Sequence, residues 1–311
     1  MIGTRGDAIL SQTAEGCGEP IHLLLAADAN YGRYAGITIA SVLAANPRQS
    51  FTVHLFSNGI RRRDLRKLRT MLARAGSSLS VYDVSGRLAA NRPPPARGHL
   101  TATAHARLAM GELLPKAVRR VTYLDCDVIC TGPLLPLWEI GEGVAVLAAV
   151  LDRAGEGWKA LLGMPPEASY FNSGVLVVNL DSWRRRDLGG ILGEWIAANP
   201  AKASLADQDA INACLAGEIT PLPDCWNLQI GKDSGPLPPE RLADAVLLHY
   251  TGEHKPWRYR FDGLGAEIFL RHKRRSPWRF ALPTFRLSYR LRKSLNKRIG
   301  RWRAALSTGE A

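Results

Sequence analysis

From Pro20 onward, short apolar runs alternate with longer stretches whose apolar positions fall three and four apart. The run "IHLLLAAD" has the length and flanks of a buried strand, and "YAGITIASVLAANP" reads as a helix closed at Asn46-Pro47. "FTVHLFSNG" is a second strand, "IRRRDLRKLRTMLARAG" an amphipathic helix stopped by Gly76, and "LSVYDVSG" a third strand. This β-α-β-α-β rhythm predicts a mostly parallel sheet with crossover helices, and such sheets bind ligands at their carboxyl edge.

After the loop "NRPPPARGHL", "TATAHARLAMGELLP" is expected to be a helix that carries Arg107. "RVTYLDCDVIC", "GVAVLAAV", "YFNSGVLVVNL" and "DAVLLHYTG" are expected strands, and "LGGILGEWIAANP" and "LADQDAINACLAG" expected helices. No internal repeat interrupts this order. The pattern predicts an N-terminal extension over 1–19, one α/β domain over 20–267 and a separate tail over 268–311.

In the tail, Leu287, Leu291, Leu295, Ile299, Trp302 and Leu306 are spaced by four and three, one stripe of a helix. Arginines and lysines fill the remainder. The chain of 311 residues carries a net charge of +13, and its location matters more than its size. Residues 1–270 hold 28 Lys/Arg against 27 Asp/Glu, whereas 271–311 hold 13 against Glu310 alone. A neutral body with a cationic amphipathic tail is the pattern of a helix lying on an anionic membrane surface. A nucleic-acid arm fits by charge alone, with no recognition fold attached, so no nucleic-acid partner is expected.

The first twenty residues lack a basic start followed by an apolar core, and no apolar run reaches the roughly 20 residues that span a bilayer. Cys17, Cys126, Cys130, Cys214 and Cys225 form no C-x-x-C pair. The expected setting is the reducing cytoplasm, with the protein peripheral on the inner face of the cell membrane.

The chemistry begins with "YLDCDVIC". Two aspartates in an apolar run are costly unless something offsets their charge. The strand is expected to run to Leu124, with Asp125 opening the turn at its carboxyl edge, and Asp125 and Asp127 either cap that turn or hold a hard cation such as Mg²⁺ or Mn²⁺. In "LLHYTGEHKPW", His249 ends an apolar strand and could complete a metal site, Gly252 permits close backbone approach, and Lys255 could neutralise phosphate. Each also has a bland reading, as a strand-end histidine and a solvated lysine. Asp28, Asn30 and Tyr31 in "AADANYG" are either turn residues or a base pocket. "FNSG" and "LADQDAIN" set amides and acids beside apolar runs, as a sugar's hydroxyls require, although Asp207 and Asp209 also suit a helix N-terminus. No G-x-G-x-x-G or Walker sequence follows a strand, so the dinucleotide and ATP-hydrolysing readings lose their main support.

The order "AADANY", "H-x7-RL" from His99 to Leu108, "YLDCDV", "FNSGVLVVNL", "ADQDAIN" and "HYTGEHKPW" resembles glycosyltransferase family 8 over residues 20–262. Within it, the chain is most similar to the bacterial lipopolysaccharide α-galactosyltransferases and α-glucosyltransferases. The resemblance implies a GT-A type nucleotide-sugar-binding domain with a mostly parallel mixed sheet, and transfer of galactose or glucose from a UDP-sugar with retention. It implies Asp125, Asp127 and His249 as ligands of Mn²⁺, with Mg²⁺ a second candidate. Asp28, Asn30, Tyr31 and the backbone of Ala26 fall on the uridine pocket, and Gly252 and Lys255 on the diphosphate contacts. Arg107, Asn172, Asp207 and Gln208 fall around the transferred sugar, and Asp152 near donor and acceptor. Gln208, Asp152 and Asp207 are the expected catalytic group. Cys126, between the two aspartates, joins the donor-binding set as a small filler rather than a metal ligand.

Leu205 and Ala206 stand where some members carry polar or aromatic residues. Gln208 is a poor nucleophile, which favours front-face attack with the leaving phosphate accepting the acceptor's proton. The acceptor is expected to be a glycan or lipid-linked saccharide. The competing readings are a sugar nucleotidyltransferase and a non-catalytic membrane-binding protein on a transferase scaffold.

Overall fold

The first three strands form as the apolar pattern predicts: β1 (Ile21–Asp28), β2 (Phe51–Asn58) and β3 (Ser78–Asp83). The computed structural model describes residues 19–91, 102–231, 238–252, 255–257 and 265–281. The extension before residue 19, His99 and the amphipathic stripe after residue 281 lie outside the described residues.

The remaining strands are β4 (Arg120–Leu124), β5 (Val128–Cys130), β6 (Leu147–Leu151), β7 (Phe171–Asn179), β8 (Ile219–Leu222), β9 (Leu228–Gln229) and β10 (Leu247–His249). A seven-stranded sheet runs in the order β3-β2-β1-β4-β7-β6-β8, and a small sheet in the order β5-β10-β9. In the large sheet β7 alone runs antiparallel to its neighbours β4 and β6, while the other pairings are parallel. The carboxyl ends of β1 and β4 and the amino end of β7 therefore meet at one edge.

Two apolar layers explain why the strands read as nearly continuous runs. Leu23 and Leu25 of β1 face one layer, with Val53 and Leu55; Leu24 faces the other, with Phe56, Tyr123 and Leu176. Successive strand side chains point to opposite faces, so a strand covered on both sides needs apolar residues at every position.

Small residues let the helix Gly32–Ala45 press between the two sheets. Ser41 Oγ accepts from Cys130 N–H at 2.9 Å, and Thr38 Oγ1 donates to Cys126 O at 3.1 Å, so the helix pins the segment after β4. At Gly36 an added Cβ would fall 2.2 Å from Trp278.

Two expectations change. In "RVTYLDCDVIC" β4 ends at Leu124 as expected, but the residues after the turn form a further strand, β5, that belongs to the other sheet. "TATAHARLAMGELLP" is wound as a 3-10 helix over Ala102–Ala109 and becomes α-helical only over Met110–Leu113. The first part of the basic tail also proves to be packed. The helix Ala266–Arg275 buries Phe269, and Trp278 sits in the same core layer with Nε1 donating to Asp64 Oδ1 at 2.7 Å.

Candidate active site

The chain turns between β4 and β5 through Asp125, Cys126 and Asp127. Asp125 N–H donates to Gly174 O at 2.8 Å, and the Cys126 thiol lies 3.2 Å from Ala26 O. Ala26 and Cys126 thus bond each other and fasten β1 to the turn. Among the described residues no backbone N–H binds either aspartate carboxylate.

His249 reaches them through strand pairing. β10 is antiparallel to β5 and sets His249 opposite Val128. Its Nε2 lies 3.3 Å from Asp127 Oδ1 and 3.8 Å from Asp125 Oδ2. One donor atom from each of the three residues lies within 4.8 Å of the others. Asp127 Oδ1 is buried and has no hydrogen-bond partner among the described residues. A buried carboxylate oxygen left so is expensive, and two carboxylates with an imidazole are a hard-oxygen set plus one nitrogen that fits a divalent cation.

Lys255 is 2% exposed. Its ammonium is paired with Asp127 Oδ2 and donates to Tyr250 O at 2.6 Å. Burial by itself would raise the Asp127 carboxyl; the Lys255 ammonium and His249 outweigh it and hold that group below the usual carboxylate range. Gly252, two residues beyond Tyr250, adopts φ 72°, the left-handed region that glycine enters without strain.

A second cluster stands against the first. Arg107 is buried with Nη2 3.0 Å from Asp125 Oδ1, Nε 3.0 Å from Asp207 Oδ2 and Nη1 donating to Ser173 O at 2.5 Å. Its guanidinium covers the Tyr123 ring at 4.1 Å, and Tyr123 donates to Asp125 Oδ1 at 2.6 Å. Burial pushes the Asp207 carboxyl up to about 6 although Arg107 pulls it down. Arg107 divides its charge between two acids, and the dry setting prevails.

Asp152, Asn172 and Gln208 are joined directly. Asp152 Oδ2 accepts from Asn172 Nδ2 at 3.1 Å and Gln208 Nε2 at 3.0 Å. Asp152 Oδ1 accepts from Ala154 N–H at 3.1 Å, capping a 3-10 turn. Gln208 Oε1 accepts from Ser173 N–H at 3.0 Å. Ala206, at φ 56° and ψ −112°, precedes the helix Asp207–Cys214 in a backbone conformation that L-residues rarely adopt. Asp209 is tied inward, its Oδ1 accepting from Tyr170 OH and its Oδ2 from Leu205 N–H, each at 2.6 Å.

The Asp28–Tyr31 turn lies at the carboxyl end of β1, adjacent to β4. Asp28 Oδ1 accepts from the backbone N–H groups of Asn30 at 2.7 Å and Tyr31 at 2.9 Å. Tyr31 meets Trp257 edge-on at 6.1 Å, and Trp257 stacks on Tyr34 at 3.9 Å, bringing the Lys255 segment against this turn.

A residue that the sequence reading passed over completes the arrangement. Asn227, buried just before β9, lies 3.0 Å from His249 Nδ1 through Oδ1 and 2.9 Å from Asn172 Oδ1 through Nδ2. Its one signal in the sequence is an amide between Trp226 and Leu228, since a buried amide must find partners.

The model for glycosyl transferase family 8 matches residues 22–260. The chain belongs to glycosyltransferase family 8. This family 8 protein is 26% identical over 264 residues to lipopolysaccharide 1,3-galactosyltransferase of Salmonella typhimurium, covering 81% of the chain and 77% of that relative. It is 24% identical over 253 residues to general stress protein A of Bacillus subtilis, covering 77% and 88%. Among solved structures it resembles the galactosyltransferase LgtC in complex with donor and acceptor sugar analogues. That match has a TM-score of 0.72 and 29% identity, over 83% of the chain and 96% of LgtC. The mixed, mostly parallel sheet is the GT-A architecture, and the family 8 chain is a glycosyltransferase. No helix among its described residues is long and apolar enough to cross a membrane.

Proposed function

We propose that this glycosyltransferase moves a hexose, galactose or glucose, from a UDP-sugar to a lipopolysaccharide or other glycan acceptor with retention of configuration. The observation that carries the reading is the convergence of Asp125, Asp127 and His249 beside the buried Lys255. The lipopolysaccharide transferase relative and the sugar-bound LgtC structure support it.

Asp125, Asp127 and His249 would hold Mn²⁺, with Mg²⁺ second because an imidazole nitrogen suits manganese better. The ion supplies positive charge against the leaving diphosphate. Lys255 supplies more, exchanging its Asp127 partner for a phosphate oxygen. Asp28 spends one carboxylate oxygen on its own turn and keeps the other for a base N–H, with Asn30, Tyr31 and the Ala26–Cys126 contact forming the rest of the uridine pocket. Gly252 allows the backbone to approach the phosphates.

Arg107, Asn172 and Asp207 hold the sugar. Asp152 and Gln208 are bound to each other and to backbone groups, so they orient rather than attack. This favours front-face transfer. The acceptor oxygen bonds to the anomeric carbon, the carbon–phosphate oxygen bond breaks, and the acceptor's proton passes to that phosphate oxygen. LgtC too has a glutamine in its active site, the position changed to glutamate in one of its structures.

The amphipathic stripe after residue 281 is proposed to bind an anionic membrane surface on the cytoplasmic side. On the helix Arg62–Arg74, Arg62, Arg63, Arg66, Lys67, Arg69 and Arg74 are exposed while Asp64 is turned inward to Trp278. Phe280, where the tail departs, is 84% exposed.

A donor screen tests the reading. UDP release from UDP-galactose or UDP-glucose that rises with divalent cation and with a lipid-glycan acceptor supports it. Indifference to every UDP-sugar contradicts it.

A further inference from the structure

The polarity of the amide groups around His249 is set by backbone groups that have only one polarity. Gly174 N–H can only donate, and it lies 2.9 Å from Asn172 Oδ1. Asn172 must therefore present its oxygen there and its nitrogen to the Asp152 carboxylate at 3.1 Å, where an oxygen would be repelled. The Asn227 atom that reaches Asn172 Oδ1 at 2.9 Å must then be Nδ2. That leaves Asn227 Oδ1 facing His249 Nδ1 at 3.0 Å. An amide oxygen accepts and never donates, so His249 Nδ1 carries a proton.

We infer that Asn227 is a positioning residue that locks His249 in the Nδ1–H form, so that Nε2 alone is the nitrogen offered to a cation between Asp125 and Asp127. In the neutral imidazole a proton on Nδ1 leaves Nε2 with a lone pair. The Nε2–H tautomer would set two lone pairs, one on Nδ1 and one on Asn227 Oδ1, against each other at 3.0 Å.

The strand order explains why Asn227 can do this. β9 pairs with β10 and sets Gln229 opposite His249, so the residue just before β9 comes up beside the imidazole. Gly174 closes the ring from the other side. The same Asn172 that orients Asn227 also binds Asp152, which in turn holds Gln208. Metal ligand and sugar-facing cluster are thus one connected amide relay. Removing Asn227 would free the imidazole from its tautomer and cut the relay at its midpoint.

The inference rests on the proposed metal reading for its purpose, but not for its first test. Nitrogen-15 shifts of the His249 ring, measured on the metal-free full chain, report which ring nitrogens carry protons. Nδ1 is expected to stay protonated, with or without a second proton on Nε2 facing Asp127 Oδ1 at 3.3 Å; a bare Nδ1 in the wild type overturns the inference. Mn²⁺ titration by calorimetry then compares two variants, with near-ultraviolet circular dichroism to verify their packing.

Asn227→Leu removes the acceptor, and Mn²⁺ affinity is expected to fall by about 10- to 100-fold with loss of the single tautomer. Asn227→Asp keeps an acceptor at Nδ1 but sets its second oxygen against Asn172 Oδ1, so the Nδ1 proton is expected to stay while Mn²⁺ affinity falls between wild type and Asn227→Leu. A folded Asn227→Leu protein with wild-type shifts and affinity, or an Asn227→Asp protein whose ring loses the Nδ1 proton, overturns the inference. Absence of Mn²⁺ binding in the wild type sinks the metal reading while leaving the tautomer result to stand by itself.

Discussion

Gly174 lies directly beneath the His249 imidazole, so close that a Cβ built on it would stand 2.1 Å from Cε1 and 2.6 Å from Nδ1. No rotation of a methyl group relieves such an overlap, and the ring itself must move. Gly174→Ala is therefore expected to weaken Mn²⁺ binding at least tenfold by displacing Nε2 from the two aspartates. Overpacking of this kind costs about 1–3 kcal/mol of stability, so most of the protein should stay folded at room temperature. Calorimetric Mn²⁺ titration beside a denaturant melt reads both effects, and wild-type affinity in Gly174→Ala would refute the placement.

Asp127 and Lys255 form a pair in which neither partner is well exposed. Asp127→Ala leaves a buried ammonium with only the Tyr250 carbonyl, and removal of one partner of a buried pair costs about 3–5 kcal/mol. The double variant Asp127→Ala/Lys255→Met removes both charges and is expected to recover part of that loss. Urea midpoints measure it. Both variants should be inactive in transfer, so stability and activity separate cleanly.

Trp278 makes the start of the basic tail a structural part of the body. It fills the space above Gly36 and donates to Asp64. Trp278→Ala is expected to lower stability by about 3–5 kcal/mol, whereas ending the chain after Ala281 should leave the melting temperature near that of the full chain. The shortened protein should lose binding to anionic vesicles and keep UDP-sugar hydrolysis. Vesicle sedimentation decides the tail's role, because undiminished binding after truncation would exclude it.

His54 is buried on β2, 3.0 Å from His22 Nδ1 and 3.0 Å from Tyr82 OH. Burial first, and then the neighbouring His22, lowers its pKa to about 4. The unfolded chain binds this proton near pH 6.5 and the folded chain only near 4, so the unfolded state gains stability as pH falls between those values. Folding stability should be full above about pH 6.5 and decline by roughly 2–3 kcal/mol towards pH 4 from this group. Urea unfolding across that range should show the slope, and His54→Gln should flatten it.

Much of this was legible in the sequence because apolar runs and periodic helices report burial directly. The β-α-β-α-β opening, the end of β4 at Leu124 and the gathering of Asp125, Asp127 and His249 follow from strand ends meeting at one sheet edge. The split of "RVTYLDCDVIC" between two sheets was hidden, since "VIC" after the turn is as apolar as "VTYL" before it. The 3-10 winding around Arg107 was hidden because period 3.0 and period 3.6 differ little over eight residues. Asn227 was hidden for a deeper reason. Its importance lies in a partner 22 residues away that strand pairing alone brings near. The packing of Trp278 was hidden too, since nothing local announces that Gly36 leaves it a socket.

Asp125, Asp127 and His249 are proposed to hold a divalent cation that helps bind a uridine diphosphate donor. Calorimetric titration of UDP into the full chain, with and without Mn²⁺, tests it most directly, with Asp125→Asn as the comparison. Mn²⁺ is expected to strengthen UDP binding by at least tenfold in the wild type and to have no such effect in Asp125→Asn. UDP binding of equal strength with and without the metal in the wild type would contradict it.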